Sequence, residues 1–347
     1  MPVENLSNRI KQQAASLGFS ACGITSAEPP PHHADYKQWI LDGCNGEMQY
    51  LVRQEERRGQ PSLVLEDVKS IVIVALNYSV ESGRPQSDNS NESGVIARYA
   101  RYDDYHDLFW ERLDQLLKFI QEVHPETQGR VYCDTGPVTE RDLAMRAGLG
   151  WIGKHTNLIS RSLGNWFLIG SVFLDIDIEA DPPETEHCGT CTRCIPACPT
   201  GAITSPYHLD ARRCIAYLTI ELKGSIPVEL RPLVGNRIFG CDDCLAACPW
   251  NKFAVEASSN GLHLRADLSS LDLIDLLTID DAEFKRRFAG SPILRAKRRG
   301  FLRNVCVALG NIGKADAIEP LKQLTMTETD PLILEHAVWA LDRLTPK

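Results

Sequence analysis

The chain has 347 residues, 43% of them hydrophobic and 24% charged, with a formal net charge of −9. That length supports two or three domains around a substantial core. The acidic balance excludes a polycation that binds nucleic acid through its overall charge, so any such contact must be local. The start, "MPVENLSNRIKQQAASLGFS", has no basic segment before an apolar run and no twin arginine. The longest apolar stretch, "NWFLIGSVFLDI", is too short to span a bilayer, so a cytoplasmic chain without a membrane anchor is expected.

Helix and strand patterns alternate through the first half. "ENLSNRIKQQAASLG" has helical period, and "FSACGIT" and "KSIVIVALNYS" read as strands. "DYHDLFWERLDQLLKFIQEV" is an amphipathic helix, and "GRVYCDTGPV" a strand running into a turn. "TERDLAMRAGLG" reads as a helix closing on glycine. Two strands follow, "HTNLIS" and "NWFLIGSVFLD", joined by a turn at "RSLGN". The expected unit is an α/β sandwich without G-x-G-x-x-G, P-loop or H-E-x-x-H, which argues against a Rossmann-bound nicotinamide.

Eight of the twelve cysteines fall between residues 188 and 248. "CGTCTRCIPACP" matches C-x2-C-x2-C-x3-C-P, the run that wraps a [4Fe–4S] cube in bacterial ferredoxins. Its fourth cysteine serves the second cube, so Cys188, Cys191, Cys194 and the distant Cys248 are assigned to one cluster. Cys198, Cys214, Cys241 and Cys244 are assigned to the other, with Cys214 standing in for a missing ligand of the enlarged second half. Two structural zinc sites are the alternative, but zinc needs neither the third cysteine nor the proline. Cys22, Cys44, Cys133 and Cys306 lie outside the pattern and read as small buried residues.

"RYARYDDYH", "DTGPVTERDLAMRAGLGWIGKHTNLI", the eight cysteines and "GNRIFGCDDCLAACPWN" together resemble the epoxyqueuosine reductase family over nearly the whole chain. The resemblance implies a cobalamin- and iron–sulfur-dependent oxidoreductase that reduces epoxyqueuosine in a tRNA anticodon to queuosine. It implies cob(II)alamin held base-off, two [4Fe–4S] clusters, and electrons from a flavodoxin- or ferredoxin-type donor. The fold class expected is α+β/α multidomain. A nitroreductase-like α/β cobalamin domain (1–178) precedes a ferredoxin-like two-cluster domain (179–256) and HEAT-like helical repeats (257–347), in a monomer. Asp134, at the end of a strand before Gly136 and Pro137, is by resemblance the proton donor; capping of the helix near Val138 is its structural alternative. Tyr105 and His106 are candidates for orienting or protonating substrate. Asp104, Tyr105 and His106 form a D-x-H, but Phe109 stands where cobalt-ligating histidine motifs need glycine, so His106 is not expected to bind cobalt. Arg58, Lys154, His155 and Asn157 are placed by resemblance near cobalamin, as are Asp134 and the Cys241–Asp242 loop.

The last ninety or so residues repeat themselves, with Ala308-Leu309 and Ala340-Leu341 in step 32 apart. Two such repeats must stack on a preceding domain. "RAKRRGFLR" carries Arg295, Lys297, Arg298, Arg299 and Arg303 without an acid. A solvated helix face is the ordinary reading; given an RNA substrate, a phosphate contact is expected, with Lys223 and Arg231 as further candidates. Two other function classes stay open: an RNA-binding module without catalysis, and a corrinoid dehalogenase.

Overall fold

A computed structural model describes residues 5–79, 93–255, 260–268 and 271–345. The expected boundary between residues 256 and 257 lies outside the described residues. Helix α1 (Leu6–Ser16) leads into strand β1 (Ala21–Ser26), and β2 (Ser70–Asn77) follows. After them come α2 (Tyr105–Val123), β3 (Gly129–Tyr132), α3 (Glu140–Arg146) and β4 (Phe167–Leu174). The four strands form one sheet in the order β1-β2-β4-β3, antiparallel at every pairing.

Strand β2 is buried along its whole length because both faces of the sheet are covered. Val72, Val74 and Leu76 point to one side, where Ile10 of α1 and Phe109, Leu113 and Leu116 of α2 meet them. Ile71, Ile73 and Ala75 point to the other, against Leu143 and Ala144 of α3. A strand with period-two side chains and helices on both faces reads as the continuous apolar run "IVIVAL". The sequence reading put "HTNLIS" beside β4. Instead Leu158–Ile159 pairs with Trp151–Ile152 in a short hairpin of its own. Its turn, residues 153–157, is thereby carried away from the sheet.

The chain between residues 194 and 253 is built from short turns rather than long elements. Its Arg237–Phe239 segment pairs in parallel with Val95–Ile96, across more than a hundred residues. Helices α4 (Lys297–Ile312), α5 (Ile318–Thr327) and α6 (Pro331–Leu344) close the chain. Helices α4 and α6 pack so tightly that a Cβ on Gly310 would lie 2.9 Å from the Ala340 Cα, which accounts for a glycine inside a helix. Their core is continuous with Ile96, Ala100, Ile238 and Phe239, so the helical end is stacked on the preceding parts. No helix among the described residues is long and apolar enough to cross a membrane.

Candidate functional site

A solvent-open cavity of about 520 Å³ lies where the sheet, the cysteine segment and the start of α4 meet. Tyr50, Gln54, Arg58, Tyr99, Tyr105 and Arg295 are among the residues that line it. Asp134 projects from the turn after β3 with φ of 58°, a left-handed backbone that an aspartate tolerates better than most side chains. Three contacts hold the turn. Its own N–H donates to Glu140 Oε1 at 2.6 Å. The Arg58 guanidinium donates to the carbonyls of Val138 (2.6 Å) and Gly136 (3.1 Å). Gly136 leaves no room for a side chain, since a Cβ would meet the Tyr132 ring at 2.4 Å.

The Asp134 carboxylate accepts from the Tyr105 hydroxyl at 3.1 Å and lies 3.8 Å from His106 Nε2. It therefore does not cap α3, which starts at Glu140 after an N-cap, Thr139, that makes no side-chain bond. Behind it, His106 Nδ1 meets Asp104 Oδ1 at 2.6 Å, and the same oxygen caps α2 through the His106 N–H. The Asp-x-His spacing thus serves helix capping and holds the imidazole against Asp104. Burial alone would push the His106 imidazole down, but its bond to Asp104 and the nearby Asp134 carboxylate outweigh that and lift it to about 9. His106 in turn holds the Asp134 carboxyl below the usual carboxylate range, even with some desolvation opposing it. Burial and then the Asp134 charge push the Tyr105 hydroxyl up, so it stays a donor. At neutral pH the resting site is an imidazolium between two carboxylates. Asp134, 56% exposed, faces the cavity, whereas His106 is 23% exposed behind it.

A second, smaller cavity of about 130 Å³ is lined by Cys188, Cys191, Cys194 and Cys248, with Trp250 across from them. The remaining four cysteines form a neighbouring group. Burial pushes the Cys244 thiol up, and adjacent Cys214 and Cys198 push it further, while Cys241 feels Cys244 in turn. Buried thiols that oppose one another's ionisation suit a cationic cluster that would stabilise them as thiolates. Cys194 is also within electrostatic reach of Cys244, so the two groups adjoin. The second group is tied to the wall of the first cavity through Asp242, whose charge reaches Tyr99. Asp242, between Cys241 and Cys244, accepts the Arg98 N–H at 2.7 Å, next to Tyr99 in the cavity wall.

Two family models match the chain: epoxyqueuosine reductase QueG over residues 58–135, and a 4Fe-4S double cluster binding domain over 187–251. The epoxyqueuosine reductase of Xanthomonas campestris is 43% identical over 336 residues, covering 96% of this chain and 94% of that protein. The chain belongs to the epoxyqueuosine reductase family. A solved epoxyqueuosine reductase bearing a tRNA-Tyr epoxyqueuosine-modified stem loop is similar with a TM-score of 0.86 at 31% identity, over 98% of this chain and 90% of that one. An epoxyqueuosine reductase from Bacillus subtilis, described with its catalytic loop swung out of the active site, gives 0.87 at 30% identity, over 98% and 91%.

In this epoxyqueuosine reductase family member the structure separates residues that the sequence reading grouped, and it buries some of the expected phosphate contacts. Lys154 and His155 line the cysteine cavity rather than the Asp134 cavity. The 151–159 hairpin brings Lys154 Nζ within 2.5 Å of the Gly189 carbonyl, and its own carbonyl accepts from the Tyr207 N–H. Burial pushes His155 down to about 4, so it is neutral. Asn157 Oδ1 accepts from Arg141 and lies on the same turn. Arg303 and Arg231 cannot meet phosphates, being 0% and 2% exposed. Arg303 donates to the carbonyls of Leu218, Leu222 and Gly224, and Arg231 bridges Ile226 and Glu335, because an irregular loop packed under α4 and α6 leaves carbonyls that need donors. Arg298 is largely buried too, ion-paired with Glu328 at 2.6 Å. Lys223, Arg295, Lys297 and Arg299 remain exposed, and they sit together: Arg299 donates to the Lys223 carbonyl, and Arg295 and Lys297 both depress the Lys223 ammonium after its desolvation. Arg295 also lines the cavity, paired with Glu221 at 2.7 Å, which joins the basic patch to the Asp134 site.

The sequence reading did not single out Asp104, Glu140 or Tyr50 as site residues. Asp104 had a signal, the cap-and-histidine spacing; Glu140 looked like an ordinary first-turn acid; nothing marked Tyr50.

Proposed function

We propose that this protein reduces the epoxide of epoxyqueuosine, at the wobble position of a tRNA anticodon, to the alkene of queuosine, with its proton donor at Asp134. The observation that carries this reading is the Tyr105–Asp134–His106–Asp104 chain, opening into a cavity whose rim includes Arg295 of the exposed basic patch. Conversion of an epoxide to an alkene takes up two electrons and two protons and releases the oxygen as water. An alkoxide is a poor leaving group, so an acid beside the oxygen lowers the barrier.

The residues present fit the cofactors the family implies. Eight cysteines in two adjoining groups suit two [4Fe–4S] clusters. The main cavity is wide and open, Tyr50, Gln54, Tyr99, Thr135 and Ser291 give it neutral polar groups beside its charged ones, and the buried Arg58 Nε there has no partner among the described residues, which suits an amide-rich corrinoid. Tyr50, Gln54, Arg58 and the Asp242 loop would hold it, base-off. When bound, cobalamin supplies a low-valent cobalt, a strong reductant or nucleophile recharged one electron at a time through the clusters.

Proton handling belongs to this chain's own side chains. His106 stores the proton in the resting site, and Asp134 is the face that substrate meets. A base entering the cavity strips water from the half-exposed Asp134 carboxylate and raises its pKa, which favours transfer of the His106 proton onto it. Tyr105 keeps the carboxylate turned into the cavity. The patch of Lys223, Arg295, Lys297 and Arg299 contacts phosphates beside the flipped nucleotide. The reading includes a flavodoxin- or ferredoxin-type electron donor and a monomer working in the cytoplasm. To test it, anaerobically reduced protein loaded with both cofactors is incubated with tRNA carrying epoxyqueuosine, and nucleosides are analysed by mass spectrometry. Queuosine is expected; unchanged epoxyqueuosine with fully loaded protein would refute the assignment.

A further inference from the structure

Glu140 stands apart among the carboxylates around the cavity. It is the first residue of α3, yet it neither caps that helix nor, among the described residues, pairs with a cation at hydrogen-bond distance. Instead its carboxyl turns back six residues to accept the Asp134 N–H at 2.6 Å. That N–H belongs to the one residue of the turn with a left-handed backbone, a conformation that aspartate tolerates but that still costs free energy unless its surroundings favour it. On the opposite side Arg58 grips the Gly136 and Val138 carbonyls. The Asp134 carboxylate is thus aimed at Tyr105 and His106 by contacts to its backbone, and the bond nearest to it comes from Glu140.

We propose that Glu140 is a positioning residue, a latch that holds the Asp134 turn in its working conformation through the Asp134 N–H. This inference rests on the reading of Asp134 as the proton donor. Burial, followed by the charge of Asp134, pushes Glu140 up to about 8, so near neutral pH it is mostly uncharged and grips the N–H without adding a second negative charge beside the donor. An amide oxygen can make the same bond, which makes glutamine the faithful replacement and alanine the empty one.

The test uses cofactor-loaded protein and two readouts: hydrogen exchange of the Asp134 amide, resolved by fragmentation mass spectrometry, and turnover of epoxyqueuosine-bearing tRNA. Glu140→Gln is expected to keep amide protection and kcat within about threefold of the parent, because the bond is retained. Glu140→Ala should speed exchange at Asp134 by about tenfold, as expected for one lost hydrogen bond. It should also lower kcat by about a hundredfold with little change in KM, as expected when a reacting group is displaced by about 1 Å. Unaltered exchange at Asp134 in the Ala variant, or a Gln variant as impaired as the Ala one, overturns the latch. Faster exchange with unaltered kcat leaves the latch standing and overturns the role of Asp134 instead. Should Glu140→Ala lose its iron or fold poorly, Glu140→Asp, one methylene too short to reach, takes its place with the same expectations.

Discussion

Replacing Asp104 by Asn should move the alkaline limit of the reaction. Asn can still accept the His106 N–H and cap α2, so the helix start is preserved. What disappears is a carboxylate 2.6 Å from the imidazole. The parent ring is raised from 6.5 to about 9, which corresponds to about 3 kcal/mol in favour of its charged form at about 1.4 kcal/mol per pH unit. A folded pKa above the unfolded one means that this contribution is complete below 6.5 and is lost as pH climbs through about 9. The stored proton should leave over the same window, and single-turnover rates of the parent should fall above it. Asp104 and Asp134 share the upward push against burial, so losing Asp104 should lower the midpoint by about 1 to 2 pH units. Pre-reduced protein mixed with modified tRNA and quenched across pH 6 to 10, with queuosine counted by mass spectrometry, measures it. A parent rate flat to pH 10, or identical midpoints in the two proteins, would show that His106 does not supply the proton.

Asp134→Asn removes the proton but preserves shape, so turnover should drop by about a hundredfold or more while iron and corrinoid content hold; loss of cofactors together with activity would mean a structural role. Cys248→Ala should damage the cluster of Cys188, Cys191 and Cys194 and leave the other visible by electron paramagnetic resonance, and loss of the other cluster would contradict the crossed arrangement. Neutralising Lys223 and Lys297 together should flatten the dependence of tRNA affinity on salt by up to about 0.7 log units per contact, as measured by a binding series, whereas parallel lines would make the patch a solvated face. In the same series Arg303→Leu should leave the slope intact and lower the Tm, because three loop carbonyls lose their donor.

Legibility from sequence followed the range of the interactions. The main sheet could be read because β2 and β4 carry their burial in their own composition. That Cys248 lies with Cys188, Cys191 and Cys194 could be read because the spacing of such cysteine runs is local and fixed, even where one member is far along the chain. The basic run could not be parsed, because five cations in nine residues look alike until packing divides them. Arg303 and Arg298 point inward from α4, while Arg299 and Lys297 face solvent. Nor could the sequence separate Lys154 from the Asp134 cavity, since the hairpin that carries it away is only two residues long on each side. Glu140 was invisible for a related reason. Its partner is a backbone N–H, and no side-chain pattern announces a backbone contact.

The parallel pairing of Val95–Ile96 with Arg237–Phe239 has a consequence for how the molecule comes into being. A ribosome releases the wall bearing Tyr99 and Tyr105 long before the segment that locks against it, and the α4 helix that completes the rim emerges later still. Such sequence-distant closure slows folding, because loop entropy must be overcome before the contact rewards it. During that interval the floor built around Asp134 is open on the side where Asp242 will later dock. A chain cut before residue 237 would carry Tyr99 and Tyr105 but lack the segment that locks against their wall, so the Asp134 face is not expected to work as an excised fragment.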